Sequence, residues 1–358
     1  MTKRLSKVVW AALPGSLCNL NCSYCYVGDK KGDLGEYVYP VKHMLKCFDP
    51  KRFGGPISFE GTGVGETLLW PEIVDFTQGM LLHGHVVTYN TNLTITPVIE
   101  KFCNLNKELR SRLVLAVSLH YLELKRKKLL DKFLANLRML KSAEISFFMG
   151  ICISDSIIPH LQEINELFKK EIGLLPLAQM IRTYDRNGGK IARAYSHAAD
   201  KLVKETCDVR AWNLEKFIFG SKRNEFCLAG ESSIDLHLGT GDYAKCWGSN
   251  GLGKKWREIV LEKNESKLLK KIPLVKSVTY KLFKEPRLFL GNMFKNPNEP
   301  IKFGPIGECP FYDCVCAEFQ CWGLIPELNV GTFSGTYLTK GFVSNEAWDL
   351  MDSKIVPY

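Results

Sequence analysis

The chain has no apolar run approaching the ~18 residues of a membrane-spanning helix, so no such span is expected. Its aromatic and basic residues form no recognisable RNA-binding module, which argues against a nucleic-acid partner. The N-terminal MTKRLSKVVWAALPG combines basic residues with a short apolar run, superficially like a signal peptide. Cleavage there would end just before Cys18, and Val8–Leu13 reads better as a first buried strand. Small secreted domains use disulfides because their cores are thin. With 358 residues, 46% hydrophobic and 24% charged, this chain has core enough without such staples. Its length points to about two domains.

Thirteen cysteines still need a reason. Nine of them fall in two groups, Cys18–Cys25 and Cys227–Cys321, which favours metal ligation in a reducing, cytoplasmic setting. Cys47, Cys103, Cys152 and Cys207 are scattered and read as small buried hydrophobes.

Strands are expected at residues 7–13, 57–59, 85–92, 112–119, 144–153 and 176–183. Helices are expected at 41–48, 71–82, 95–104, 123–140 and 158–170. The last but one is charged, amphipathic and read as solvent-facing. Six strands alternating with helices give repeated βα units and a parallel sheet. In such folds functional groups sit on loops after the carboxyl ends of strands.

The first such loop holds CNLNCSYC, residues 18–25, with spacing C-x3-C-x2-C and Tyr24 just before the third cysteine. Three thiolates leave one iron of a 4Fe–4S cluster without a protein ligand. An open iron is useful only if something else binds there. The loop resembles that of the radical S-adenosylmethionine (SAM) superfamily. That resemblance implies a partial (β/α)6 barrel, followed here by a small C-terminal iron–sulfur domain. It implies that Cys18, Cys22 and Cys25 hold the cluster, that SAM binds the open iron, and that Tyr24 lies against the adenine. The stretch PISFEGTGVGETLLWPEI carries a second landmark, a Gly-Gly-Glu-like motif at Gly65, Glu66 and Thr67, with Gly63 beside it. Val64 replaces a glycine and Thr67 the usual proline; a backbone contact to the SAM amino group tolerates both. The resemblance also assigns Asn92, of a Thr91-Asn92 pair, to the third strand end. Ser118 is a candidate for the SAM carboxylate or ribose, and Arg182 for the carboxylate, which a bidentate guanidinium suits. Ser118 reads equally as a strand-end hydroxyl, Arg182 equally as half of a structural ion pair, and His120 as a polar strand-end residue.

The second group reads CLAGESSIDLHLGTGDYAKC (227–246) and CPFYDCVCAEFQC (309–321). Paired cysteine groups also hold structural zinc. The first half looks like the start of a SPASM or twitch extension, which binds auxiliary 4Fe–4S clusters; the second half departs from the usual spacing. The candidate ligands are Cys227, Cys246, Cys309, Cys314, Cys316 and Cys321, for one auxiliary cluster or two. The expected division is a barrel over 1–190, a linker over 191–224, the auxiliary domain over 225–323 and a tail over 324–358. Between the cysteine halves, residues 251–303 carry 13 Lys and Arg against 5 Glu and no Asp. That face is either solvated or suited to an anionic partner.

The expected activity is reductive cleavage of SAM to a 5′-deoxyadenosyl radical, which takes a hydrogen atom from a substrate C–H bond. A ribosomally made peptide or protein is the preferred substrate, although few residues precede the first strand and no N-terminal peptide-recognition domain is seen. Sugars, aminoglycosides and nucleotides are the alternative substrates. A zinc scaffold and an RNA-modifying protein are the rival classes. An electron donor such as flavodoxin or ferredoxin is the implied partner.

Overall fold

Six short apolar runs, alternating with helical segments, become six strands. These are β1 Lys7–Leu13, β2 Ile57–Gly63, β3 Val86–Thr91, β4 Leu113–Ser118, β5 Ser146–Ile153 and β6 Leu177–Met180. They pair in sequence order, all parallel. The computed structural model describes residues 5–15, 17–25, 36–63, 65–173, 175–181, 200–209, 212, 226–227, 229–231, 233–245, 289–304 and 307–308. Arg182, Cys246, Cys309, Cys314, Cys316, Cys321, the tail 324–358 and most of the basic stretch lie outside them.

The crossovers are helical: α1 Val41–Cys47, α2 Ile73–Leu82, α3 Thr96–Cys103, α4 Lys107–Arg110, α5 Tyr121–Arg126, α6 Leu130–Ser142 and α7 Leu161–Glu171. A further helix, α8 Asp200–Thr206, falls in the expected linker. Alternate strand residues turn to the helices. Val9, Ala11, Leu13, Phe59, Tyr89 and Leu115 thereby join Phe48, Phe76 and Phe102 in one buried core. Phe48 meets Phe59 and Phe76 edge-on. Burial of each such ring contributes about 1.5–3 kcal/mol.

Three local expectations change. The glycines at 61 and 63 continue β2 instead of forming a loop; Gly61 lies under the Tyr89 ring, where a Cβ would stand 2.7 Å from it. The helix expected over 123–140 is two helices, α5 and α6. Lys128 breaks it with φ +56°, and the N–H groups of Lys128 and Leu129 turn back to the carbonyls of Lys125 and Leu124. That is a Schellman stop, fastened by Leu124 and Leu129 on the core side. The helix expected from residue 71 begins at Ile73, after a 3₁₀ turn at Thr67–Leu69.

Past residue 225 come β7 Phe226–Cys227, β8 Ser233–His237, β9 Asp242–Ala244, β10 Phe289–Asn292 and β11 Gly307–Glu308. β8 pairs in parallel with the free edge of β1, and β9 and β10 follow antiparallel, so the sheet reads β10-β9-β8-β1-β2-β3-β4-β5-β6. These described parts of the stretch expected to form an auxiliary domain therefore extend the barrel's own sheet. β7 and β11 form a separate antiparallel pair that holds the Cys227 backbone against Gly307. Arg52 pins the segment after β10 by donating to the carbonyls of Met293, Asn296 and Glu299.

Candidate cofactor site

The cysteine loop leaves the carboxyl end of β1 and is held from three sides. The first hold is from β2. Glu66 donates its backbone N–H to the Leu17 carbonyl at 2.9 Å. Its carboxylate is buried and accepts from Leu68 N–H at 3.1 Å, Thr91 Oγ1–H at 2.6 Å and Asn92 N–H at 2.7 Å. Burial pushes this carboxyl above the ordinary range, and the three donors offset only part of that rise. The side chain is thus a pin between the β2 and β3 loops, and the backbone around it is the part left for a ligand. Thr67 closes the glycine turn, its hydroxyl accepting from Gly63 N–H at 3.1 Å. Gly65 is half-buried in the same turn.

The second hold is from the end of β3. Asn92 Nδ2 donates to Asn19 Oδ1 at 2.8 Å and stands 3.9 Å from Cys18 Sγ. Asn19 Nδ2 donates to Thr94 Oγ1 at 2.7 Å, and the Thr94 hydroxyl donates to Asn92 Oδ1 at 2.6 Å. Leu93 between them has φ +56°, which turns Thr94 back toward the loop.

The third hold is from the β4 crossover. Glu123 accepts from Asn21 N–H at 2.8 Å and from Arg126 through both oxygens. Lys127 Nζ donates to the Asn19 carbonyl at 2.7 Å. Tyr24 Oη and His120 Nδ1 stand 2.8 Å apart, with the rings tilted by 34°. Burial lowers His120 to about 4 and pushes the Tyr24 phenol up, so the bond joins a neutral phenol and a neutral imidazole. Ser118, at the end of β4, is half-buried opposite Gly150 of β5.

Cys18 and Cys22 are half-buried and Cys25 is exposed; none is in a disulfide. Burial raises Cys18, with Glu66 and Cys25 adding to the shift. Burial pushes Cys22 up to about 12, with Cys25, Cys18, Glu123 and Cys152 acting the same way. Thiols this crowded become thiolates when a positive centre is set among them. Among the described residues no three His, Cys, Asp or Glu side chains close round a single ion. The donor set is three thiols on one loop, two half-buried and one exposed, the kind of ligand that the iron of a cluster takes.

The sheet face turned from the helices carries a polar row. Asp235, Trp10, Glu60, Thr88, Val114 and Ser146 stand side by side across β8, β1, β2, β3, β4 and β5. Asp235, Glu60, Thr88 and Ser146 are buried, while Thr62 and Asn90, further along the same strands, are exposed. The face therefore opens toward the strand ends, where the cysteine loop lies.

Sequence reasoning missed Asn19, Thr94, Glu123 and Lys127. Asn19 offered one signal, a short amide inside a metal loop. Glu123 and Lys127 offered none, since they sit in a charged helix of ordinary pattern.

No family model matches the chain, and no curated protein matches it. Among solved structures, Streptococcus suis SuiB bound to S-adenosylmethionine is similar at 13% identity, over 77% of this chain and 68% of that one, with a TM-score of 0.49. A histidine-tagged anSMEcpe with bound AdoMet is similar at 13% identity, over 82% and 76%, also at 0.49. Streptococcus suis SuiB bound to precursor peptide SuiA is similar at 14% identity, over 77% and 67%, at 0.49. At such overlap the site's own residues must carry the function. No helix among the described residues is long and apolar enough to cross a membrane. With its cysteine loop after the first of six parallel strands and its Gly-Glu and Thr-Asn motifs at the ends of the next two, the chain resembles the radical SAM superfamily.

Proposed function

We propose that this chain is a radical SAM enzyme with Cys18, Cys22 and Cys25 as the protein ligands of a 4Fe–4S cluster. One observation carries the reading: a three-cysteine loop is tied by separate hydrogen bonds to the loops after β2 and β3 and to helix α5 after β4. The cluster and SAM, when bound, would supply radical chemistry able to take a hydrogen atom from an unactivated C–H bond by way of a 5′-deoxyadenosyl radical. The protein's share is to hold, orient and exclude water. Asn92 and Asn19 fix the depth of Cys18, Glu66 fixes the β2 loop, and Tyr24 is set by His120. Gly63, Gly65 and Thr67 offer backbone for the SAM amino group, and Ser118 a hydroxyl for its carboxylate or ribose. Arg182 remains a candidate for the carboxylate.

Of the C-terminal cysteines, Cys227, Cys246 and two of Cys309, Cys314, Cys316 and Cys321 would hold an auxiliary 4Fe–4S cluster within residues 225–323. We infer a peptide or protein substrate, because the cysteine pattern of this region looks like a SPASM or twitch extension. The protein would work in the cytoplasm.

Iron and sulfide content after anaerobic reconstitution tests this, on wild type and on the Cys18→Ala/Cys22→Ala/Cys25→Ala variant. At about four irons per cluster, wild type should hold roughly eight or twelve and the variant about four fewer. Wild type should form 5′-deoxyadenosine from SAM under strong reductant, and the variant none. Wild type with about four irons and a variant with none would remove the auxiliary cluster. No 5′-deoxyadenosine from iron-loaded wild type would remove the function.

A further inference from the structure

We infer that the junction of α5 and α6 is the docking surface of a small acidic one-electron carrier protein. This rests on the proposed function, since only a redox centre at Cys18–Cys25 needs such a carrier.

Lys125, Arg126, Lys127 and Lys128 are consecutive and exposed, and Lys132 is exposed in the first turn of α6. Acidic groups there are fewer. Glu123 is buried against Arg126, Glu163 meets Lys125 at 3.1 Å, and Asp131 is exposed. Cations at a helix C-terminus are stabilising in themselves. What distinguishes this run is what it touches. Lys127 donates to the Asn19 carbonyl, and Arg126 grips the carboxylate that accepts from Asn21 N–H. Asn19 and Asn21 lie between Cys18 and Cys22, and Asn21, Ser23 and Cys25 are exposed beside them. A partner seated on these cations lies against the Lys127 and Arg126 side chains that hold the cysteine loop. Electron transfer slows steeply with distance, so that proximity matters.

The step moves one electron and no atoms. The carrier's reduced cofactor loses it, and the centre on the cysteine loop gains it. Charge complementarity brings the two together faster at low salt, by 10- to about 1,000-fold in steered pairs.

The test uses the reconstituted enzyme, flavodoxin hydroquinone as the carrier, and a Lys125→Gln/Lys128→Asp/Lys132→Glu variant. None of these three holds the cysteine loop; Asp tolerates the left-handed backbone at 128, and Glu suits a helix start. A Lys42→Glu/Lys46→Glu variant on α1 is the control. Stopped-flow bleaching gives the second-order rate of reduction. Carbodiimide crosslinking maps the contact independently of activity. The variant should be reduced about ten-fold or more slowly at low ionic strength, with the difference gone near ~0.5 M salt. Reduction by dithionite should be unchanged, the control should match wild type, and crosslinks should fall on Lys125, Lys128 and Lys132. Equal rates in variant and wild type, or an equal loss in the α1 control, would overturn the proposal. So would tight binding of generic RNA at this face, lost in the same variant, which would make nucleic acid the partner. Absence of any dithionite-reducible centre in wild type would instead remove the function on which the surface depends.

Discussion

Replacing Glu66 by glutamine should loosen the cysteine loop without disturbing the barrel. The carboxylate is 6% exposed and accepts from Leu68, Thr91 and Asn92. The amide keeps one oxygen and turns an NH2 group on the other side. Facing Asn92, that group opposes a buried backbone N–H. Turned round, it opposes the N–H of Leu68. Either way one charge-assisted bond is lost, which costs about 1.5–3 kcal/mol. Relief of a buried charge offsets part of this, since burial already disfavours the ionised form. A net loss of ~1–3 kcal/mol is expected. Alanine leaves all three donors unserved and should cost more, ~3–5 kcal/mol. Urea unfolding under anaerobic conditions reads both, with a lower midpoint and an unchanged slope. A cycle with Thr91→Val should show coupling of at least ~0.5 kcal/mol, because the two side chains are in contact. Iron loss to a chelator should quicken in the same order. A glutamine variant as stable as wild type, additive with Thr91→Val, would refute the pin.

Two further outcomes follow from the core. His85 is buried, accepts from Ile57 N–H at Nδ1 and donates from Nε2 to the Phe48 carbonyl, so it is neutral in the fold and burial lowers it to about 4. Its contribution is fully present above the ordinary pKa of 6.5 and is lost as pH falls toward about 4. A His85→Gln variant should therefore show a stability–pH slope shallower by up to ~1.4 kcal/mol per pH unit in that window; equal slopes would mean that His85 does not titrate on unfolding. Gly61→Ala would place a methyl 2.7 Å from the Tyr89 ring, inside the aromatic core. A loss of about 1–3 kcal/mol in chemical denaturation is expected, and a neutral result would show that Tyr89 can swing aside.

Much of this protein is legible in local sequence. Six apolar runs, their turns and the cysteine spacing each lie within a few residues, so the six βα strands, their parallel pairing and the loop's place after β1 could be read locally. The Schellman stop at Lys128 was not legible, because a lysine takes the left-handed position that glycine usually marks. Partners were also hidden. Glu66 meets Asn92 at a separation of 26 residues, Asn21 meets Glu123 at 102, and Lys7 meets Glu231 at 224. The last pair follows from β8 joining the edge of β1, which put residues of the late cysteine region into the barrel's own sheet. Residue order was enough to say which groups could ligate a cluster and where along the chain they stand. What grips those groups was settled in the folded molecule, because hydrogen-bond partners far apart in sequence are chosen by packing and register, and neither is written in any local pattern.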